Sequence, residues 1–429
     1  MVELWQFCPG FATPRREEPT GRLFFEMFCG DHGDARAMTL KISKNDRIPA
    51  FLAMEMMNAT RELEAKGADL VHLEVGQPST PPPAGVLSAL TNALGRTNTH
   101  GYSTAFGEMV LRQRIAAHYQ DWYGRRPDPQ RIAVTLGSSL GFALAFLAAF
   151  DAGDRIALAN PGYPAYRNLM TALGLEPVLL PARAGEGWVP RLETLAEQGA
   201  LPDGLLLASP ANPTGVLMRD DEVMSISRWC HENGVRLIMD EIYHGLTFGA
   251  RPTSAYLHSD SVIVVNSFSK YFCMTGWRLG WVVLPDDLVE ITERLAQNLY
   301  IGPARPMQEG ALAAFDDYAA LDQNVVRYRE NRDVLLRDLP AEFLGEMAPA
   351  DGAFYIYADI SQLTNKPLDS LKFTNDLLRE AHVACTAGVD FDQEQGDRHL
   401  RMSYAGSTED MKEASRRINS WLPNYLRGL

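Results

Sequence analysis

Residues 262–284 read VIVVNSFSKYFCMTGWRLGWVVL. Val262–Val265 is a short apolar run rich in β-branched side chains, the composition of a buried strand. Ser267-Phe268-Ser269-Lys270 follows at once, and a second apolar run, Leu279–Leu284, closes the stretch. A strand with no polar face belongs in a sheet covered on both sides. Working outward, the same pattern recurs upstream at Ile132–Leu136, Arg155–Ala159, Val178–Leu180, Gly204–Ala208 and Arg236–Met239. Helical segments such as Met109–Tyr123 and Leu140–Phe150 separate these runs. Strands alternating with helices predict an α/β fold, here a mostly parallel sheet of the seven-stranded type covered by helices. In such sheets ligands sit in the loops that follow the carboxyl ends of strands. Lys270 falls in one of those loops.

Beyond Pro285 the pattern changes to long helices, about 286–300 and 306–338, and then to a smaller α+β segment. That segment has strands at Ala353–Asp359 and Leu400–Tyr404 and a last helix near 408–424. On the amino-terminal side a helix is expected over 49–66 and a strand over Asp69–Val75, before the turn signal Gly76-Gln77-Pro78. A smaller domain built from both chain ends follows. The expected division is an N-terminal arm with part of the small domain over 38–80, a large cofactor-binding domain over 81–305 and a small C-terminal domain over 306–429. Residues 1–37 show neither helical nor alternating periodicity. They lack the basic start and long apolar run of a secretory signal. The expectation is that translation starts at Met38, with a disordered tail as the alternative.

Of 429 residues, 40 are Lys or Arg and 54 are Asp or Glu, a formal charge of −14. That balance argues against general nucleic-acid binding, which needs clustered cations. No window approaches the roughly 20 apolar residues of a membrane span. The cysteines are five and scattered, with no metal-ligand spacing, so no metal is expected and a reducing cytoplasm is the natural setting.

Four strand ends carry the chemistry. Lys270 has small hydroxyl residues around it and Arg278 eight positions on. Its amine can form a Schiff base if neighbouring cations or burial lower its pKa, and the hydroxyls with Arg278 can hold a phosphate. By itself such a lysine is most often an exposed loop residue. Asp240-Glu241-Ile242-Tyr243 ends another apolar strand, where a buried carboxylate needs a cationic partner or caps the next turn. Asn212-Pro213-Thr214-Gly215 offers an amide donor or an ordinary turn. Gly137-Ser138-Ser139-Leu140-Gly141 opens a helix whose free N–H groups make a phosphate seat. Together the loops supply a phosphate cradle, an amine, a partner for a pyridine nitrogen and a donor to a ring oxygen. That inventory fits pyridoxal 5′-phosphate.

The chain resembles a fold-type I, class I/II aminotransferase of the aspartate/aromatic aminotransferase superfamily. The likeness runs collinearly over about 45–425 through VGQPS at 75–79, GYSTAFG at 101–107, NPTG at 212–215, DEIY at 240–243, SFSK at 267–270, TGWRLGW at 275–281, GAFY at 352–355 and LRMSYA at 400–405. It implies that Lys270 binds the cofactor covalently and then shuttles the proton. It also implies that Asp240 pairs with the pyridine nitrogen, and that Asn212 and Tyr243 bond the ring oxygen. Ser138, Ser139, Ser267, Ser269 and Arg278 would hold the phosphate, with Tyr163 stacked on the ring. Tyr102 would reach the phosphate of a partner subunit, which implies a homodimer. Arg401, helped by Gly76 and Asn212, would clamp the substrate α-carboxylate.

The implied reaction is ping-pong transamination from an L-amino acid to a 2-oxo acid, commonly 2-oxoglutarate in this family. Ser139 stands where aspartate-specific relatives carry a lysine for the distal carboxylate, so neutral or aromatic donors stay open. Arg305 could replace that charge. A C–S or β-lyase of the same fold is the alternative, since the cofactor cradle is shared. A ligand-sensing regulator is a distant one, because residues 1–37 are too short and not basic enough for a DNA-binding domain.

Overall fold

The apolar runs become strands of one seven-stranded sheet in the computed structural model, which describes residues 40–193, 195, 200–249 and 251–428. The readings for 1–37 and Met38 lie outside the described residues. In chain order the strands are β1 (Val71–His72), β2 (Ile132–Thr135), β3 (Arg155–Asn160), β4 (Glu176–Pro181), β5 (Gly204–Ala208) and β6 (Arg236–Asp240). They continue with β7 (Ile263–Ser267), β8 (Gly280–Val283), β9 (Tyr355–Asp359), β10 (Val383–Ala384), β11 (Thr386–Ala387) and β12 (His399–Ser403). The large sheet has the order β2-β8-β7-β6-β5-β3-β4. Pairs β7–β6, β6–β5, β5–β3 and β3–β4 are parallel, whereas β8 runs antiparallel to both β7 and β2.

Both faces of this sheet are buried. In β7, Val264 packs into one apolar cluster while Ile263 and Val265 pack into another on the opposite face. Such two-sided burial is why the strands read as unbroken apolar runs. With β8 reversed, the carboxyl ends of β2, β3, β5, β6 and β7 share one edge. The loop between β7 and β8, residues 268–279, carries Lys270 and Arg278 along it.

A second, antiparallel sheet has the order β11-β12-β9, and β1 pairs in parallel with β10. Of the expected strand over 69–75, only Val71–His72 forms a ladder. The expected helix over 306–338 is two, Arg305–Ala314 and Tyr318–Asp338. The break falls at Phe315–Asp317, where the Asp317 carboxylate accepts the N–H of Ala320 at 3.1 Å and caps the second helix. Backbone proximity divides the chain into Met1–Asp46 and Arg47–Leu429, and every site residue below belongs to the second unit. Among the described residues no helix is long and apolar enough to cross a membrane.

Candidate active site

A cavity of about 600 Å³ opens at the carboxyl edge of the large sheet. Lys270 enters it from the loop after β7, and its Nζ donates to the carbonyl of Gly76 at 2.7 Å. Burial, reinforced by the charges of Arg401 and Arg278, brings its amine down to about 8. Asp240, the last residue of β6, is 3% exposed. Its carboxylate accepts the hydroxyl of Tyr166 and, at 3.0 Å, the N–H of Ile242. Burial still pushes it up to about 6. A cation set against Asp240 would recover the charge that burial penalises.

Asn212 and Tyr243 line the same space from the loops after β5 and β6. Asn212 Oδ1 accepts from Arg401 at 3.1 Å, which leaves its amide N–H groups for a ligand. The Tyr243 hydroxyl lies 2.8 Å from that of Tyr355. Tyr163 lines the cavity too, its ring edge-on to Phe51 at 5.7 Å and to Tyr166 at 5.3 Å.

At one end the helix Gly137–Ala149 starts directly after β2, so Ser138 and Ser139 present the unpaired N–H groups of its first turn. Ser269 and Arg278 close in from the other side. Arg278 has φ +53° and donates to the carbonyl of Thr275 at 3.0 Å. Gly137 has φ +76°, and a Cβ there would sit 2.5 Å from Arg278 Nη2. The glycine therefore makes room for the guanidinium against the helix start. Gly137→Ala is expected to lower stability by about 1–2 kcal/mol in urea unfolding, from the left-handed backbone alone. Gly101→Ala, where a Cβ meets open space, is the control that should change little. Ser267 does not reach the cavity: its hydroxyl lies 2.8 Å from Ser269 Oγ and 3.1 Å from the Leu279 carbonyl, behind Ser269.

At the other end Arg401, on β12, is 3% exposed. Beyond its bond to Asn212, Nη2 donates to the Glu74 carbonyl at 2.6 Å and to Thr386 Oγ at 3.3 Å, while Nε is buried without a partner. Its Cζ lies 4.5 Å from the ring centre of Tyr355 and 4.6 Å from that of Phe391. Among the described residues no carboxylate forms an ion pair with it. A buried guanidinium so placed is costly until an anion arrives. Lys270, Arg278 and Arg401 are the cations that line the cavity.

Two residues of interest lie elsewhere. Tyr102 is 83% exposed and off the lining. Arg305 is also off it, with Nε 3.1 Å from Glu108 and Nη1 donating to the Asn98 carbonyl at 2.9 Å, so within this chain it meets no ligand in the cavity. Sequence reasoning missed Tyr166 and the apolar wall of Phe51 and Met54. Tyr166 stands three residues after Tyr163 on a helical stretch, a spacing that puts both on one face.

A family model described as aminotransferase class I and II matches residues 68–418. The chain is 44% identical to the valine–pyruvate aminotransferase of Mycobacterium tuberculosis, covering 90% of this chain and 100% of that one. It is 32% identical to the (5-formylfuran-3-yl)methyl phosphate transaminase of Methanocaldococcus jannaschii, over 87% of this chain and 97% of the relative. Among solved structures, an aminotransferase from Mycobacterium tuberculosis superposes with a TM-score of 0.86 at 44% identity, covering 90% and 100% of the two chains. The aspartate aminotransferase of Thermus thermophilus gives 0.82 at 27% identity, over 89% and 100%.

Proposed function

Because the chain belongs to the class I and II aminotransferases, we propose that it uses pyridoxal 5′-phosphate to pass the amino group of a neutral amino acid to a monocarboxylic 2-oxo acid. The residues present fit that cofactor. Ser138, Ser139, Ser269 and Arg278 would hold its phosphate, with Ser267 bracing Ser269. Asp240 would face the ring nitrogen, Asn212 and Tyr243 the ring oxygen, and Tyr163 the ring face. Once bound, the cofactor supplies an aldehyde that condenses with amines and a ring that withdraws electrons from the attached carbon.

The chain's own groups do the rest. Arg401 fixes the α-carboxylate by a planar fork, which sets the orientation of the substrate Cα–H. With the substrate amine joined to that aldehyde, Lys270 Nζ would be free to take the Cα proton as general base and to hand it on as general acid. Asp240 would hold a proton on the ring nitrogen.

The observation that carries the substrate class is the number of cations. The lining holds three, and the cofactor's aldehyde, its phosphate and the substrate α-carboxylate would take up Lys270, Arg278 and Arg401 respectively. Within this chain none is left for a second carboxylate, and Phe51 and Met54 face the space instead. The acceptor follows by the same count. The resemblance implied 2-oxoglutarate, which carries a distal carboxylate; the name of the Mycobacterium tuberculosis relative pairs valine with pyruvate. The test is kcat/KM for the purified enzyme over a panel of neutral and dicarboxylic donors, each with pyruvate and with 2-oxoglutarate. Neutral donor with pyruvate should exceed aspartate or glutamate with 2-oxoglutarate by about tenfold or more, the worth of one lost ion pair. A dicarboxylic preference would sink the assignment.

The proposed active form is a homodimer. Leu94, Tyr102, Val110, Leu299 and Ile301 are exposed apolar side chains, and the 98–108 loop is tied to the 300–308 segment by Arg305 and Gln308. Tyr102 would then reach the phosphate in a second copy. Residues 81–305 would form the cofactor-binding domain, with 38–80 and 306–429 in the smaller one, a division favoured by the pairing of β1 with β10. The free, buried thiols of Cys230, Cys273 and Cys385 fit a reducing cytoplasm.

A further inference from the structure

Tyr355, in the GAFY stretch at 352–355, has no role in the scheme above. It opens β9 opposite Ser403, two residues from Tyr357, which pairs with Arg401. Its side chain is buried between two residues of the site. On one side the Arg401 guanidinium packs 4.5 Å from its ring centre. On the other the Tyr243 ring meets it edge-on at 5.7 Å, with the hydroxyls 2.8 Å apart. A third neighbour fixes its depth: a Cβ on residue 76 would lie 1.8 Å from the Tyr355 hydroxyl, so only glycine admits it.

Burial pushes both phenols upward, so both keep their protons. The pair holds two protons and its mutual hydrogen bond uses one. The other has no acceptor among the described residues. Both phenols line the cavity, but the Tyr355 hydroxyl is set tightly against Gly76, so the proton free to meet a ligand is the one on Tyr243.

We propose that Tyr355 is a positioning residue that donates to Tyr243, so that the Tyr243 proton is aimed at the ring oxygen of the cofactor, while its ring holds the Arg401 guanidinium flat for the carboxylate. The proposal rests on the pyridoxal phosphate assignment. Donation into Tyr243 strengthens the bond that Tyr243 makes onward, because hydrogen bonds in a chain polarise one another. The ring beneath Arg401 fixes the plane of the fork.

The test compares the cofactor-loaded wild type with Tyr355→Phe and Tyr355→Leu. Tyr355→Phe keeps the ring and loses the hydroxyl. The pH midpoint of its visible absorption should rise by about 0.5 unit or more, because ring-oxygen deprotonation is less well supported, with KM for the amino acid within about twofold of wild type. Tyr355→Leu should add a KM increase of about tenfold. An unmoved absorption midpoint in Tyr355→Phe overturns the hydroxyl role. If Tyr355→Leu does not fold, Tyr355→Phe alone still decides the hydroxyl role. An unchanged KM in a folded Tyr355→Leu overturns the role of the ring. A wild-type protein that takes up no pyridoxal phosphate and gains no visible band overturns the cofactor assignment, and this proposal with it.

Discussion

Replacing Lys270 with alanine is expected to lower kcat by about 10⁴-fold or more, since in the proposed scheme one amine serves as both nucleophile and proton carrier. The same substitution should abolish covalent labelling by borohydride in the presence of pyridoxal phosphate, and peptide mapping of the wild type should place the label on Lys270. Retained turnover, or a label on another lysine, would contradict the assignment. The environment of the amine adds a pH signature. Only the neutral amine attacks an aldehyde, and burial with Arg401 and Arg278 nearby brings its value down to about 8. Below that pH the neutral fraction falls tenfold per unit, so cofactor uptake should speed up with rising pH and level off above about 8. An amine at its ordinary value would keep gaining past pH 10.

Arg401→Leu is the second large effect. The guanidinium is buried, lacks an ion-pair partner among the described residues and carries an unpartnered Nε. Loss of a buried, hydrogen-bonded charge pair costs about 2–5 kcal/mol, so kcat/KM for amino acids should fall about 30- to 5,000-fold. Arg401→Lys keeps the charge without the planar fork and should fall between. A simple primary amine with no carboxylate gives the internal control, because its slow reaction should be nearly indifferent to the change. Equal losses on both substrate types would show that Arg401 serves the fold rather than the carboxylate.

How much of this was legible in the sequence depends on how local the signal was. Lys270, Asp240, Asn212 and the Ser138–Ser139 pair each follow an apolar strand directly, and a parallel sheet turns that adjacency into a shared edge. The direction of β8 was not legible, because a strand buried on both faces reads the same whichever way it runs. The break at Phe315–Asp317 was written in its two aspartates but was overrun by the helical periodicity on either side. Tyr166 and Tyr355 meet Asp240 and Tyr243 across 74 and 112 residues, which no spacing rule reaches. Arg305 meets Glu108 only because the segment before its helix folds back on the 98–108 loop.

The pairing of β1 with β10 also bears on the order in which the molecule is completed during synthesis. The Glu74 carbonyl receives Thr386 and Arg401 from 312 and 327 residues downstream. A chain emerging from the ribosome exposes all seven strands of the large sheet before either partner exists. The edge proposed to hold the cofactor can therefore set while the wall proposed to orient substrate is still absent. Transamination competence is a property of the finished chain, acquired in its last few dozen residues.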